Sequence, residues 1–68
     1  MIQFIVWIYF KNGRLKIIEN VDILTYSANF HNNKWETYLD ISQTISTNPT
    51  YYYYKHNSIK KIEIFNGE

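Results

Sequence analysis

Residues 2–21 run Ile2-Gln3-Phe4-Ile5-Val6-Trp7-Ile8-Tyr9-Phe10-Lys11-Asn12-Gly13-Arg14-Leu15-Lys16-Ile17-Ile18-Glu19-Asn20-Val21. Two apolar runs flank Asn-Gly. That dipeptide is the strongest short-range hairpin signal, because a type I′ turn needs positive φ at both central residues. The first run, residues 2–10, predicts a strand that is apolar on both faces: Ile2, Phe4, Val6, Ile8 and Phe10 on one, Gln3, Ile5, Trp7 and Tyr9 on the other. A strand of that kind is central, or covered on both sides. With Asn12 and Gly13 as a two-residue loop, Phe10 faces Leu15, Ile8 faces Ile17, Phe4 faces Val21, Trp7 meets Ile18 and Tyr9 meets Lys16. Glu19 opposite Val6 is the one misfit in that register.

Working outward, Asn20-Val21-Asp22 predicts a turn, and residues 23–30 alternate. Leu24, Tyr26, Ala28 and Phe30 share one side, with Thr25, Ser27 and Asn29 on the other. Asn32-Asn33 is a second I′ candidate. It would pair Phe30 with Trp35, Tyr26 with Leu39 and Leu24 with Ile41. A short helix competes for residues 34–45. Asn33 with Glu36 resembles a capping box, and Trp35, Tyr38, Leu39 and Ser42 fall on one helical stripe. The strand is favoured because Thr, Tyr, Ile and Ser are poor helix formers. Residues 42–50, with Pro49, read as a loop.

Tyr51-Tyr52-Tyr53-Tyr54 then opens a third hairpin, turning at Asn57-Ser58 and returning along residues 59–65. Side chains alternate across a strand. The expected pairing of Tyr51 with Ile64 and Tyr53 with Ile62 puts that pair on the core and turns Tyr52 and Tyr54 outward. The fold class expected is therefore all-β: one domain over residues 1–68, of five or six antiparallel strands from three hairpins, as a small sheet or barrel. The variant with a helix over 34–45 is β-rich α+β.

A chain of 68 residues without cysteine has no disulfide to staple it and no thiolate metal site. Net charge +1 and a pI of about 8.0 fall short of the basic footprint of a strong nucleic-acid binder. No apolar run reaches the roughly 18 residues of a membrane-spanning helix. The first residues lack the basic start and small-residue cleavage site of a signal peptide. A cytoplasmic protein with no membrane association is expected.

Nothing in the residue pattern points to catalysis, a metal or a cofactor. His31 and His56 each sit beside a predicted turn, with no second group to orient them. Glu36 and Asp40 are the closest approach to a carboxylate pair. No phosphate-binding loop or nucleophile elbow is present. The expectation is a non-catalytic binding module. Its partner-binding residues would be Tyr52 and Tyr54, then Trp7 and Tyr9, with Lys55, Lys60 and Lys61 steering at the rim. The alternatives are single-stranded nucleic acid stacking on a platform of Tyr52, Tyr54 and the three lysines, and a homo-oligomeric structural or assembly protein, for instance a homodimer.

The opening Ile-Val-Trp-Ile-Tyr-Phe-Lys-Asn-Gly-Arg-Leu-Lys-Ile-Ile-Glu-Asn-Val and the closing Ile-Lys-Lys-Ile-Glu-Ile-Phe resemble the ends of small all-β proteins from phages and mobile elements of low-GC bacteria. Some of those inhibit bacterial defence systems, such as CRISPR nucleases, by binding them. The resemblance covers about a third of the chain. It implies a phage-encoded, anti-CRISPR-like inhibitor of a host protein complex, and it carries over no site residue.

Overall fold

A computed structural model describes residues 3–45 and 48–66. Six strands form two three-stranded antiparallel sheets. They are β1 (Phe4–Phe10), β2 (Leu15–Val21), β3 (Ile23–His31), β4 (Lys34–Gln43), β5 (Thr50–Lys55) and β6 (Ile59–Asn66). One sheet has the order β2-β1-β6 and the other β3-β4-β5, and neither closes into a barrel. The fold is all-β, and no α-helix occurs among the described residues. Residues 34–43 are strand, so the helix alternative is not adopted there. Ile2, expected at the start of β1, lies outside the described residues.

The core is Val6, Ile8, Ile18, Val21, Leu39, Ile41 and Ile59, drawn from both sheets. Phe4, Phe10, Leu24, Tyr52, Tyr54 and Ile62 pack around it. Burying side chains of this size contributes about 1.5–3 kcal/mol each, which is how a chain with no disulfide holds two sheets together.

The first hairpin departs from its expected register. The Gly13 N–H donates to the Phe10 carbonyl at 3.0 Å and the Phe10 N–H to the Arg14 carbonyl at 2.9 Å. Of the residues in this turn only Gly13 has positive φ, +91°. The loop is thus three residues, a type I turn completed by a left-handed glycine, rather than a two-residue I′ turn. The side chain of Asn12 contributes, accepting from the Arg14 N–H at 2.9 Å. Adding one loop residue slips β2 by one. Trp7 faces Ile17, Val6 faces Ile18 and Tyr9 faces Leu15. The slip removes the Glu19 misfit, because Ile18 now sits opposite Val6. A bulge then places Glu19 and Asn20 against Ile5, with Asn20 at φ +57°. It restores Phe4 opposite Val21, the one pair of the expected register that survives, and returns Val21 to the core.

The expected turn at residues 20–22 is instead a corner where the chain leaves one sheet and enters the other, with only Asp22 outside a strand. The Thr44 hydroxyl and N–H both donate to the Asp22 carboxylate, the N–H at 3.0 Å. The Asp22 N–H donates to the Ser42 carbonyl at 3.1 Å. The Thr44 hydroxyl bond, opposed by burial and helped by backbone N–H groups, holds the Asp22 carboxyl below the usual carboxylate range.

The second hairpin matches expectation along its full length, from Ile23 opposite Ser42 to His31 opposite Lys34. Asn32 and Asn33 have φ of +50° and +61°, as a I′ turn requires.

The third hairpin does not form. β5 pairs with β4 and β6 pairs with β1, in different sheets. His56–Ser58 make a single 3₁₀ turn that carries the chain across, tied to the first hairpin by the Lys11 N–H donating to the Ser58 carbonyl at 2.9 Å. This exchange of partner inverts the tyrosine run. Tyr52 sits opposite Ile41 and Tyr54 opposite Leu39, on the core side. Tyr51 and Tyr53 turn outward, 56% and 65% exposed.

Candidate protein-binding face

The outer face of the β2-β1-β6 sheet carries the most connected aromatic surface of the molecule. β1 sends Ile5, Trp7 and Tyr9 to that side. The slipped register brings Ile17 beside Trp7 and Leu15 beside Tyr9. From β6, Phe65 lies opposite Ile5, Glu63 opposite Trp7 and Lys61 opposite Tyr9. Trp7 is the hub: its ring meets Phe65 edge-on at 5.5 Å and Tyr9 at 6.4 Å. Leu15, Ile17 and Phe65 remain 46%, 46% and 43% exposed. Neither a helix over 34–43 nor a third hairpin is present to lie over this face.

One end of the face is polar and ordered. The Tyr9 hydroxyl donates to Glu63 Oε1 at 2.5 Å, and Lys61 Nζ lies 4.8 Å from the Tyr9 ring centroid. The hydrogen bond to Glu63, then burial, then the Glu63 charge hold the Tyr9 phenol above its ordinary range. The tyrosine therefore stays a neutral donor, with a cation over its ring.

Of the residues expected to bind a partner, Trp7, Tyr9 and Lys61 are brought together here. Tyr52 and Tyr54 are not on an outer surface. Their rings stack at 6.4 Å and 8°, with Phe10 edge-on to Tyr54 at 5.3 Å and Lys16 5.9 Å from the Tyr52 ring. Burial, then the neighbouring Tyr52, raises the Tyr54 pKa. Lys55 pairs with Glu36 at 3.6 Å on the other sheet. Lys60 is the extra residue of a bulge in β6, opposite the junction of Tyr9 and Phe10. The tyrosine and lysine platform is therefore dispersed.

The groups considered for chemistry are also separated. The Tyr38 hydroxyl donates to Glu36 at 2.9 Å. That bond lowers the Glu36 pKa, opposed by burial and helped by Lys55, and raises that of Tyr38. Asp40 accepts from Ser27 at 3.1 Å. His56 meets the Tyr26 ring edge-on at 5.3 Å. Among the described residues no three His, Cys, Asp or Glu side chains gather to hold a metal ion.

A second aromatic group was not foreseen. Tyr26, Phe30 and Trp35 lie on the core-facing side of the β3–β4 hairpin yet are 52%, 60% and 69% exposed. Phe30 and Trp35 meet edge-on at 5.4 Å. The hairpin outruns the opposite sheet, and the 3₁₀ turn at His56–Ser58 lies beside its distal half without covering these rings. Beside Trp35 a cleft of about 300 Å³ is lined by Lys34, Glu36, Lys55 and His56. The signal was length: nine alternating residues in β3 against seven in β1 and β2.

Compared with known protein families, curated proteins and solved structures, the chain matches none.

Proposed function

We propose that the protein is a non-catalytic module that binds a protein partner through the outer face of the β2-β1-β6 sheet. The observation that carries this reading is the uncovered cluster centred on Trp7. An aromatic hub flanked by half-exposed Ile17, Leu15 and Phe65, with a polar rim at Tyr9, Glu63 and Lys61, has the make-up of an interface hot spot. The partner would seat an apolar surface on Trp7 and Ile17 and meet Lys61 with an acidic group at the rim. The resemblance of the chain's ends to small phage proteins makes a bacterial defence complex, such as a CRISPR effector, the first partner to test.

The test is capture from bacterial lysate with the tagged chain, with an Ile17→Lys variant and a Tyr51→Ala/Tyr53→Ala control. The expected result is one stoichiometric protein held by the wild type and the control and lost by Ile17→Lys. Loss of a hot-spot contact of about 2 kcal/mol weakens binding roughly thirtyfold. Equal recovery by Ile17→Lys, with circular dichroism showing an intact fold, would overturn the assignment of this face.

A second reading, single-stranded nucleic acid, rests on the cleft where exposed Trp35 lies among Lys34, Lys55 and His56. A base would stack on the indole and a phosphate would meet the lysines. Its mark is oligonucleotide affinity that falls steeply with salt and is lost in Trp35→Ala.

A further inference from the structure

The edge of β3 differs from the outer edges of the other three strands. Over Ile23–His31 it contains no Lys, Arg, Asp, Glu or Pro, and its nine-residue register with β4 has no bulge. Exposed edges are ordinarily blunted by charge, proline or a bulge, because an unpaired row of N–H and C=O groups templates another strand. β2 is bulged at Glu19 and Asn20 and carries Lys16. β6 is bulged at Lys60 and carries Lys61 and Glu63. β5 is shorter, follows Pro49 and ends at Lys55. Among the described residues no strand pairs with the outer side of β3.

The direction of the free groups follows from the turn. A two-residue I′ turn closes on a hydrogen-bonded pair, here His31 with Lys34. Bonded and non-bonded pairs alternate along an antiparallel ladder. The odd residues of β3 therefore direct their main-chain groups to β4, and Leu24, Tyr26, Ala28 and Phe30 direct theirs to the open edge.

We propose that two copies of the chain join edge to edge through β3, antiparallel about a twofold axis at Ser27, forming one continuous six-stranded sheet. A strand that meets its own copy must satisfy three conditions at once, and β3 does so in the register centred on Ser27, which gives the fullest overlap. The open-edge residues must face each other, which pairs even residues with even residues. Centring on Ser27 then overlaps the whole strand and forms about eight main-chain hydrogen bonds, two per bonded pair. The side chains must fit: Tyr26 meets the partner's Ala28, large against small, and Leu24 meets the partner's Phe30. No charge may meet its own copy: on the other side Thr25 meets the partner's Asn29 and Ser27 meets itself. The row Leu24, Tyr26, Ala28, Phe30 would then cross the dimer axis unbroken, joining the half-covered apolar strips of the two copies. A chain this small gains most from such a partner. This surface is separate from the Trp7 face, so each proposal stands or falls alone.

The test is sedimentation of the full chain over a concentration series, together with residue-resolved amide exchange. The wild type should sediment as a dimer at high micromolar concentration. The amides of Leu24, Tyr26, Ala28 and Phe30 should slow at least tenfold between dilute and concentrated samples, with the odd residues of β3 unchanged. Thr25→Lys/Asn29→Lys opposes lysines across the axis and should sediment as a monomer. Mixing it one to one with Thr25→Glu/Asn29→Glu should restore a dimer containing one of each. A wild type that stays monomeric, a lysine variant that stays dimeric, or protection that ignores the even–odd alternation would overturn the proposal. Lysine and glutamate variants that circular dichroism shows folded but that fail to pair with each other would overturn it as well.

Discussion

The β2-β1-β6 sheet keeps charge off its central strand and puts it at the edges, whereas the β3-β4-β5 sheet does the reverse. β1 has no charged residue, while its neighbours carry Lys16, Glu19, Lys60, Lys61 and Glu63. In the other sheet Lys34, Glu36 and Asp40 sit on central β4, β3 has no formal charge, and β5 has only Lys55. The consequence differs for face and edge. The first sheet presents an apolar outer face between guarded edges. The second presents a face of Ser27, Tyr38, Asp40, Tyr51 and Tyr53, with an unguarded edge at β3. Charge placement thus decides which surface of a sheet is open to association.

Both sheets contribute to one core, and substitutions there carry the largest expected effect. Ile8→Ala in one sheet and Leu39→Ala in the other should each cost about 2–5 kcal/mol, a large part of the roughly 3–10 kcal/mol available to a chain of this length. Urea melts should show similar losses and a single transition. A second transition in either variant would mean that the sheets unfold separately.

The next test sharpens the inversion of the tyrosine run. Tyr54→Ala removes a half-buried ring from Leu39 and Phe10 and should cost about 2 kcal/mol, roughly half the loss at a fully buried aromatic. Tyr53→Ala, on the outer face, should stay within about 0.5 kcal/mol. Equal effects would contradict the register of β5.

The two hairpin turns differ in the same measurable way. Gly13→Ala puts a Cβ at φ +91°, with open space around it, so its cost is backbone strain alone, about 1–2 kcal/mol. Asn33→Gly should be neutral within a few tenths.

The smallest effects are in pH. The folded-state pKa of Asp22 lies below its unfolded value of about 3.9. Its contribution is therefore present above about pH 4 and is lost as pH falls through the folded value. Thermal melts between pH 5 and 2 should show a steeper decline for the wild type than for Asp22→Asn. At the alkaline end Tyr9 and Tyr38 are raised. Their contribution is full below about pH 10 and is lost as pH rises through their folded values. Ultraviolet titration should show late phenolate formation, with the Tyr9 portion moving earlier in Glu63→Gln.

Local chemistry dictated much of this molecule. The all-β class, the apolar central strand β1 and the whole register of the second hairpin follow from period-two patterning and from Asn32-Asn33, because turn geometry and side-chain alternation act over a few residues. Glu19 opposite Val6 was a legible warning that the first register was one residue out. What only the tertiary structure decided was the choice of partners for β5 and β6. Ile59–Phe65 matched β5 as well as it matched β1, since apolar alternation says that a strand needs a partner and does not say which. That choice moved Tyr52 and Tyr54 from the outside to the core and left the face around Trp7 open, with Leu15, Ile17 and Phe65 exposed. Hydrogen-bonded turns are local, but the burial of a face depends on which sheet comes to lie over it.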